Sequence, residues 1–240
     1  MEKINILSHY KKLWFFTFNR LKDNNYQLMR EYFAEVLIEE LEEFISLENK
    51  KILDVGGARG EFCKIIFDKS KSDITNLDPY PGDVIWEKTV VGFADKIPFP
   101  DNEFDLIISR GVLEHIVHEK QQESLNEMYR VTKQNGICYI MIPPWYSPNG
   151  GHALKPFHVF PFKIAKALRE FFFRNKIDAK SYSDIPLYPV SFSKMLKMIK
   201  ASGFKILATR DTHFKLHFVT KIPGLREVAV LAAVFILQKK

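Results

Sequence analysis

Three glycines follow a short apolar run and precede a helical pattern. The run Lys51–Val55 is typical of a buried strand, Gly56, Gly57 and Gly60 follow it, and apolar residues at helical spacing begin at Phe62. Because glycine has no Cβ, such a turn lets the backbone approach a ligand closely and directs unpaired helix N–H groups at it. The pattern predicts a site for a nucleoside-containing cofactor.

The glycine spacing argues against a dinucleotide. The dinucleotide fingerprint needs a first glycine, a second two positions later and a third five positions later. Counting from Gly56 gives Ala58 and Glu61, and counting from Gly57 gives Arg59 and Phe62. Neither register fits, so an NAD-type cofactor is disfavoured.

An acidic residue ends the next predicted strand. Ile74–Asp78 is a short apolar run that ends in Asp78. An acid at the end of a second parallel strand lies beside the first strand's turn, where its carboxylate can accept hydrogen bonds from both ribose hydroxyls of an adenosine. The alternative is that Asp78 caps the turn Pro79–Gly82.

The stretch from about Lys51 to Ile142 resembles the class I S-adenosylmethionine-dependent methyltransferases of the type 11 group. Their first motif is an aspartate followed by three alternating glycines, and this chain has Asp54, Gly56, Ala58 and Gly60, with Ala58 departing from the pattern. The resemblance continues through Ser109–Ile116. It implies S-adenosyl-L-methionine as cofactor, bound by Asp54, Gly56, Gly57, Gly60, Asp78, Ala94, Asp95 and Ser109.

Within this resemblance Ala94 and Asp95 match the adenine-binding position. A carboxylate there can accept a hydrogen bond from the exocyclic amine, although Asp95 could instead cap a short turn. Ser109 and Arg110 end a strand, and open parallel sheets bind ligands at strand carboxyl ends, so their backbone groups are candidates for contacting the methionyl part. For His115 we favour helix-start packing over a role as a base.

Two further histidines are the candidate catalytic residues. His152 and His158 lie in the segment 143–190, where aromatic and basic residues alternate after a predicted strand end. A general base is needed only if the acceptor loses a proton as it attacks. Either histidine could serve, or each could be a hydrogen-bonded turn residue.

The remaining elements predict an α/β fold with a doubly wound, mostly parallel sheet. The resemblance implies seven strands, with the last one antiparallel between the fifth and sixth. We expect an N-terminal helical extension in 1–50, with Asn24 or Asn25 capping its long helix, and a methyltransferase domain in 51–240 that carries a helical and loop insertion in 143–190. Other expected features are a turn at Asn135–Gly136, a fifth strand at Ile137–Ile142, a helix capped by Ser191, a sixth strand at Phe204–Thr209 and a last strand at Val234–Leu237.

Composition limits the function classes. The chain has 240 residues, 46% of them hydrophobic, which suits one sizeable core. Its two cysteines are far apart, so we expect neither a disulfide nor a metal site, and a reducing cytoplasm suits them. No signal peptide is visible, and the longest apolar run, Val228–Leu237, is about half of the roughly 20 residues that a membrane span needs.

Charge is divided unevenly along the chain. Residues 1–149 carry 18 Lys and Arg against 24 Asp and Glu, whereas residues 150–240 carry 17 against 5. The basic C-terminal part could attract an anionic acceptor, an anionic membrane surface or nucleic acid, or it could be a solvated face. No transmembrane segment is expected.

Our first hypothesis is therefore an S-adenosylmethionine-dependent methyltransferase that acts on an oxygen or nitrogen of a small-molecule or lipid-linked acceptor, such as a sugar. An RNA methyltransferase is the alternative enzyme, although the Asn/Asp-Pro-Pro-aromatic tetrapeptide of amino-methylating members is replaced here by Ser109–Val112. A non-catalytic adenosylmethionine-binding protein is the third hypothesis, and Ala58 is the residue that raises it.

Overall fold

One seven-stranded sheet organises the protein. The computed structural model describes residues 4–19, 25–174 and 176–240. The strands are β1 Lys51–Val55, β2 Asp73–Asp78, β3 Thr89–Val91, β4 Phe104–Arg110, β5 Thr132–Ile142, β6 Lys205–Asp211 and β7 Ala233–Gln238. Their order across the sheet is β3-β2-β1-β4-β5-β7-β6.

Strand direction confirms the predicted topology. The five strands from β3 to β5 run parallel, and β7 is antiparallel to both of its neighbours, β5 and β6. Val55 of β1 is paired with Leu77 of β2 on one side and with Ser109 of β4 on the other. The carboxyl ends of β1, β2 and β4 therefore meet at one edge of the sheet.

Helices cover both faces of this sheet. They are α1 Ile6–Asn19, α2 Asn25–Glu42, α3 Glu61–Ser70, α4 His118–Val131, α5 Phe162–Phe173, α6 Phe192–Ser202 and α7 Leu225–Val228. The Ser191 side chain accepts a hydrogen bond from the Lys194 amide at 3.1 Å, so it is the predicted N-cap of α6. Asn24 lies outside the described residues, and α2 begins at Asn25.

The hydrophobic core has two layers, one on each face of the sheet, because successive side chains of a strand point to opposite faces. Ile107 of β4 packs with α4 and α6, whereas Leu106 and Ile108, its neighbours in the strand, pack with α2 and α3. Successive side chains of a strand point to opposite faces, so a strand covered on both faces is apolar throughout. This explains why the central strands read as continuous apolar runs.

The fifth strand begins earlier than the sequence predicts. It starts at Thr132, directly after α4, and the pairing with β4 shifts between Phe104 and Leu106. Asn135 has φ 62°, so the predicted turn at Asn135–Gly136 exists as an irregularity inside the strand. The sixth strand likewise extends to Asp211. Sequence periodicity does not reveal these extensions because strand pairing, not local propensity, produces them.

A buried carboxylate joins α2 to the sheet. Glu40 accepts hydrogen bonds from the Tyr139 hydroxyl of β5, at 2.9 Å, and from the Thr212 hydroxyl just after β6. Burial raises the pKa of Glu40, and the two hydroxyls, with Lys215 and Arg210, oppose that rise. The polar contact fixes α2 over the carboxyl half of the sheet.

A second polar contact fixes α1. His9 is buried, and its two ring nitrogens lie 2.6 Å from the Tyr32 hydroxyl and 2.8 Å from the His213 carbonyl oxygen. Helix α1 thus touches both α2 and the loop after β6. Among the described residues, no helix has the length and apolar character that crossing a bilayer requires.

Glu40→Gln should change how stability depends on pH. The pKa of Glu40 is raised in the folded state, so the protonated form is favoured by folding and ionisation costs stability as the pH rises through that pKa. Lowering the pH from about 8 to about 5 should therefore increase the free energy of unfolding of the wild type relative to Glu40→Gln. Urea denaturation at both pH values measures this difference.

The matched control is Glu42→Gln, since Glu42 lies in the same helix but is exposed. Its free energy of unfolding should follow the wild type at both pH values. If the free energies of unfolding of the wild type and Glu40→Gln instead change by the same amount between the two pH values, the pKa of Glu40 is not raised in the folded state.

Candidate functional site: two cavities at the strand ends

The turn after β1 needs glycine at two consecutive positions. Gly56 has φ 76°, and a Cβ there would lie 2.4 Å from the Val112 side chain. A Cβ on Gly57 would lie 2.2 Å from the Asn76 side-chain oxygen. Contacts this short do not occur in folded proteins, so substitution would move the turn. Gly60, with φ 84°, then precedes α3 as its N-cap residue.

Two polar side chains of β2 hold this turn. Asn76 donates to the Ala58 carbonyl oxygen at 2.8 Å, and the Asp78 carboxylate accepts from the Ala58 amide at 2.8 Å. The other Asp78 oxygen accepts from the Tyr80 amide at 2.8 Å. Ala58 has φ 50°, a conformation that alanine adopts at some cost. The turn tolerates alanine in place of glycine because the Ala58 carbonyl and amide are both hydrogen-bonded.

Asp54 lies beneath the turn. It is buried and accepts a hydrogen bond from the Cys63 thiol at 3.6 Å. Burial raises the pKa of Asp54, and the nearby Arg110 charge opposes this. Its carboxylate would lie 2.6 Å from a Cβ on Gly57. Asp54 thus supports the turn from inside the sheet edge.

A cavity of about 570 Å³ opens beside β2. This β2 cavity is lined by residues from the ends of β1, β2 and β4 and from the loop after β3, including Gly56, Asp78, Ala94, Asp95, Gly111 and Lys120. The Asp95 carboxylate accepts from the Lys120 ammonium group at 2.5 Å. Three of the predicted cofactor residues, Asp78, Ala94 and Asp95, therefore share one cavity with the glycine turn.

A second cavity, of about 470 Å³, lies on the other side of the turn under α2. This α2 cavity has a largely apolar wall that includes Met29, Phe33, Leu37, Met141 and Leu231, and a polar group of residues that includes Arg30, Arg110, Glu114, Asn149, His152 and Lys155. Gly56 and Gly111 line both cavities. The two cavities therefore adjoin where β1 and β4 end.

Two guanidinium groups of the α2 cavity lie near the Phe62 ring. The Arg110 guanidinium carbon is 3.4 Å from the Phe62 ring centroid, and that of Arg30 is 5.5 Å from it. Burial lowers the pKa of Arg110, and Asp54 opposes this. The Arg110 Nε has no hydrogen-bond partner among the described residues. Such a buried donor can bind a carboxylate.

Three side chains that could bind a proton or a metal ion lie together at the junction of the cavities. The Glu114 Oε1 and His152 Nε2 atoms are 3.6 Å apart, and the His115 and His152 ring centroids are 4.8 Å apart. Glu114 and His152 line the α2 cavity, whereas His115 lines the β2 cavity. His152 is thus the predicted catalytic histidine that faces a cavity.

The other two predicted residues lie deeper. His158 is buried, its Nε2 lies 2.5 Å from the Trp145 carbonyl oxygen, and burial lowers its pKa. Ser109 is also buried, and its hydroxyl has no partner within the described chain. Neither His158 nor Ser109 is among the described residues that line the two cavities. Both assignments stay predictions.

Four side chains that the fold brings to this site were not predicted as site residues, namely Arg30, Asn76, Glu114 and Lys120. Asn76 was detectable, because it lies two residues before Asp78 and therefore on the same face of β2. Arg30 and Glu114 were not, because their relation to Phe62 and His152 depends on how α2 and the segment after β5 pack.

Comparisons with known proteins agree with this geometry. Residues 53–140 match the family model described as a methyltransferase domain. An uncharacterized methyltransferase of Mycobacteroides abscessus is 28% identical over 211 residues, which cover 82% of this chain and 80% of the relative.

Two solved structures share the fold. A putative sarcosine dimethylglycine methyltransferase from Galdieria sulphuraria is 18% identical with a TM-score of 0.56, covering 89% of this chain and 86% of that one. Geranyl diphosphate C-methyltransferase from Streptomyces coelicolor, in complex with S-adenosyl-L-homocysteine, is 10% identical with a TM-score of 0.56, covering 86% and 76%.

Asp78→Asn should weaken binding of S-adenosylhomocysteine by about tenfold or more, since a hydrogen bond to a charged acceptor contributes roughly 1.5–3 kcal/mol. Isothermal titration calorimetry measures the dissociation constant. Asp83→Asn, in an exposed loop nearby, is the matched control and should bind like the wild type. Equal affinity of Asp78→Asn and wild type would show that Asp78 does not contact the cofactor.

Proposed function

We propose that this chain, an S-adenosylmethionine-dependent methyltransferase, transfers a methyl group to an oxygen or nitrogen of a small-molecule or lipid-linked acceptor that binds in the α2 cavity. The observation that carries this proposal is the adjoining of the two cavities at Gly56 and Gly111. A donor with its adenosine in the β2 cavity and its methionyl part reaching past the junction to Arg110 would meet there an acceptor held against the apolar wall of the α2 cavity. Positioning of this kind can supply about 7–11 kcal/mol of the barrier.

The residues of the site fit the cofactor. Gly56 and Gly57 leave backbone without side chains at the turn, and Asp78 and Asp95 offer the acceptors that a ribose diol and an adenine amine require. Arg110, whose buried Nε has no partner among the described residues, would hold the methionyl carboxylate. Arg30, which pairs with Glu61 at 2.5 Å, lies near the same Phe62 ring and adds positive charge. When bound, the cofactor supplies an electrophilic methyl group on a sulfonium.

The α2 cavity supports an acceptor with a substantial apolar part. Its wall is mainly aliphatic and aromatic, and its volume of about 470 Å³ falls in the usual range of ligand pockets, roughly 300–1,000 Å³. Two polar residues of its lining, Glu114 and His152, lie at the end where the cavities adjoin, since a Cβ on Gly111 would be 3.3 Å from the Glu114 side chain. They would orient one nucleophilic oxygen or nitrogen towards the donor.

His152 and Glu114 are the residues that we assign to the nucleophile. They are 3.6 Å apart and both line the α2 cavity. An acceptor hydroxyl in that cavity would lose its proton on methylation, and a histidine beside a carboxylate can take or help to release it. His158, bound to the Trp145 carbonyl and packed against Gly151, is better suited to holding the loop.

A basic and aromatic surface on α5 supports the lipid-linked alternative. Phe171 and Phe172 of α5 are 78% and 62% exposed, and Lys163, Arg169 and Arg174 lie on or beside the same helix. Phe172 stacks on Phe157 at 5.6 Å, so α5 is attached to the segment that carries His152. Exposed aromatic rings with basic residues are typical of contact with an anionic membrane surface.

The direct test of the proposed function has two parts. Calorimetry with S-adenosylhomocysteine should give saturable binding at one site. Incubation of the enzyme and isotope-labelled cofactor with extracts, fractionated into aqueous and lipid phases, should then place the label in a small or lipid-linked product. Absence of binding would overturn the proposal, and label recovered in RNA alone would favour the RNA methyltransferase.

His152→Asn and His158→Asn should have different effects. Loss of His152 should lower kcat by about a hundredfold or more without a large loss of stability, because its side chain faces a cavity. Loss of His158 should lower the free energy of unfolding by about 1–3 kcal/mol, because the Trp145 carbonyl loses the donor that the buried His158 ring supplies. Steady-state kinetics and urea denaturation of both variants check this pair.

The assignment of His152 is contradicted if His152→Asn retains full kcat. That of His158 is contradicted if His158→Asn keeps wild-type stability but loses kcat, since the buried histidine would then act in the reaction.

Phe171→Asp should reduce co-sedimentation with vesicles that contain anionic lipid. The substitution removes an exposed aromatic ring and adds a charge that anionic headgroups repel. Val91→Asp on the edge strand β3 is the matched control, since Val91 is 68% exposed and belongs to a different element from α5. Failure of the wild type to co-sediment at low salt would count against the membrane contact.

A further inference from the structure

The junction between the two cavities holds a set of metal-ligand side chains. One donor atom from each of Glu114, His115 and His152 lies within 4.8 Å of the other two. The Glu114 Oε1 to His152 Nε2 distance is 3.6 Å. Two imidazoles and one carboxylate form a donor set that divalent transition metals bind in many proteins.

An independent observation indicates that Glu114 needs a partner. Glu114 is only 3% exposed, its Oε2 has no hydrogen-bond partner among the described residues, and it lines the α2 cavity. Within that part of the chain, His152 is the only basic residue at ion-pair distance from it. A buried carboxylate with an unpaired oxygen is costly, so a bound cation would stabilise it.

The surroundings of His115 prepare it as a ligand. Its Nδ1 lies 2.6 Å from the Pro186 carbonyl oxygen. A carbonyl oxygen can only accept, so Nδ1 carries the proton and Nε2 keeps a lone pair. Metal-ligating histidines commonly donate their second ring N–H to a carbonyl in this way.

We infer that Glu114, His115 and His152 bind a divalent transition-metal ion at the junction of the cavities, and that this ion binds the acceptor oxygen. Three protein ligands leave coordination positions open for substrate, as in catalytic zinc sites. The position of the acceptor rests on the proposed function, whereas the metal site itself rests on the three side chains.

The observed spacing is close to what an ion requires. Donor atoms about 2.0–2.1 Å from a tetrahedral ion are roughly 3.3 Å from each other. The Glu114 to His152 distance of 3.6 Å is near this value. The widest separation, which is within 4.8 Å, would shorten by at most about 1.5 Å as the ion binds. The His115 and His152 side chains are partly accessible to solvent and can rotate.

The site also restricts the acceptor's chemistry. A tetrahedral ion with three protein ligands has one open position and gains a second when it becomes five-coordinate. The five-coordinate form favours an acceptor with two neighbouring oxygens, such as vicinal hydroxyls or a hydroxyl beside a carbonyl. Metal coordination lowers the pKa of the bound hydroxyl, which releases its proton to water. The oxygen then forms its bond to the methyl carbon as the carbon–sulfur bond breaks and sulfur keeps the electron pair. In this scheme the ion, held in part by His152, activates the acceptor hydroxyl; in protein without the ion His152 keeps the role of base described under the proposed function.

Cobalt titration tests the site. Protein dialysed against a chelator and titrated with Co²⁺ should show the visible absorption bands of a coordinated ion, saturating at one equivalent and displaced by Zn²⁺. Glu114→Gln and His152→Asn should each weaken Co²⁺ binding roughly tenfold or more, since loss of even an outer-shell partner costs 10–100-fold. The exposed His118→Gln is the matched control and should bind Co²⁺ like the wild type.

The inference is overturned if the wild type shows no stoichiometric Co²⁺ binding, or if His152→Asn binds Co²⁺ as tightly as the wild type. His152→Asn keeps the test decisive even if Glu114→Gln does not fold, because His152 lies on a partly exposed loop. Calorimetry with S-adenosylhomocysteine on the same samples separates the two claims. Cofactor binding without metal binding removes the metal site and leaves the proposed function intact.

Discussion

The structure depends on how the backbone leaves two neighbouring parallel strands. The Gly56 amide, at the end of β1, donates to the Leu77 carbonyl at 2.7 Å, and the Gly111 amide, at the end of β4, donates to the Met141 carbonyl at 2.9 Å. Each glycine then turns the chain away from the sheet with a positive φ, 76° and 67°. A side chain at either glycine would need space beside this turn. At Gly56 the Val112 side chain leaves no such space.

The direction in which the backbone leaves β1 and β4 determines where ligands can bind. In an open parallel sheet, crevices form outside the carboxyl ends of the strands, at the point where the strand order reverses. Here the order reverses at β1 and β4, and one cavity lies on each side of their ends. Polar residues of β2 hold the turn on one side, and α2, fixed to the sheet through Glu40, encloses the cavity on the other.

Sequence reasoning recovered the parts of this arrangement that depend on local pattern. The strand, turn and helix around Gly56, the helix cap at Ser191 and the position of β7 follow from periodicity, turn chemistry or the family resemblance. The site between the cavities does not, because Glu114 and His152 are distant in the chain and meet only through tertiary packing. The burial of His158 could not be predicted from the sequence either, because it depends on the Gly151 backbone lying against the His158 ring.

A co-crystal structure with S-adenosylhomocysteine tests the central claim most directly, since it locates the donor relative to the two cavities. The account predicts the adenosine in the β2 cavity against Asp78 and Asp95, with the sulfur at the Gly56–Gly111 junction facing Glu114 and His152. A nucleoside bound in the α2 cavity, or a sulfur directed away from that junction, would contradict it.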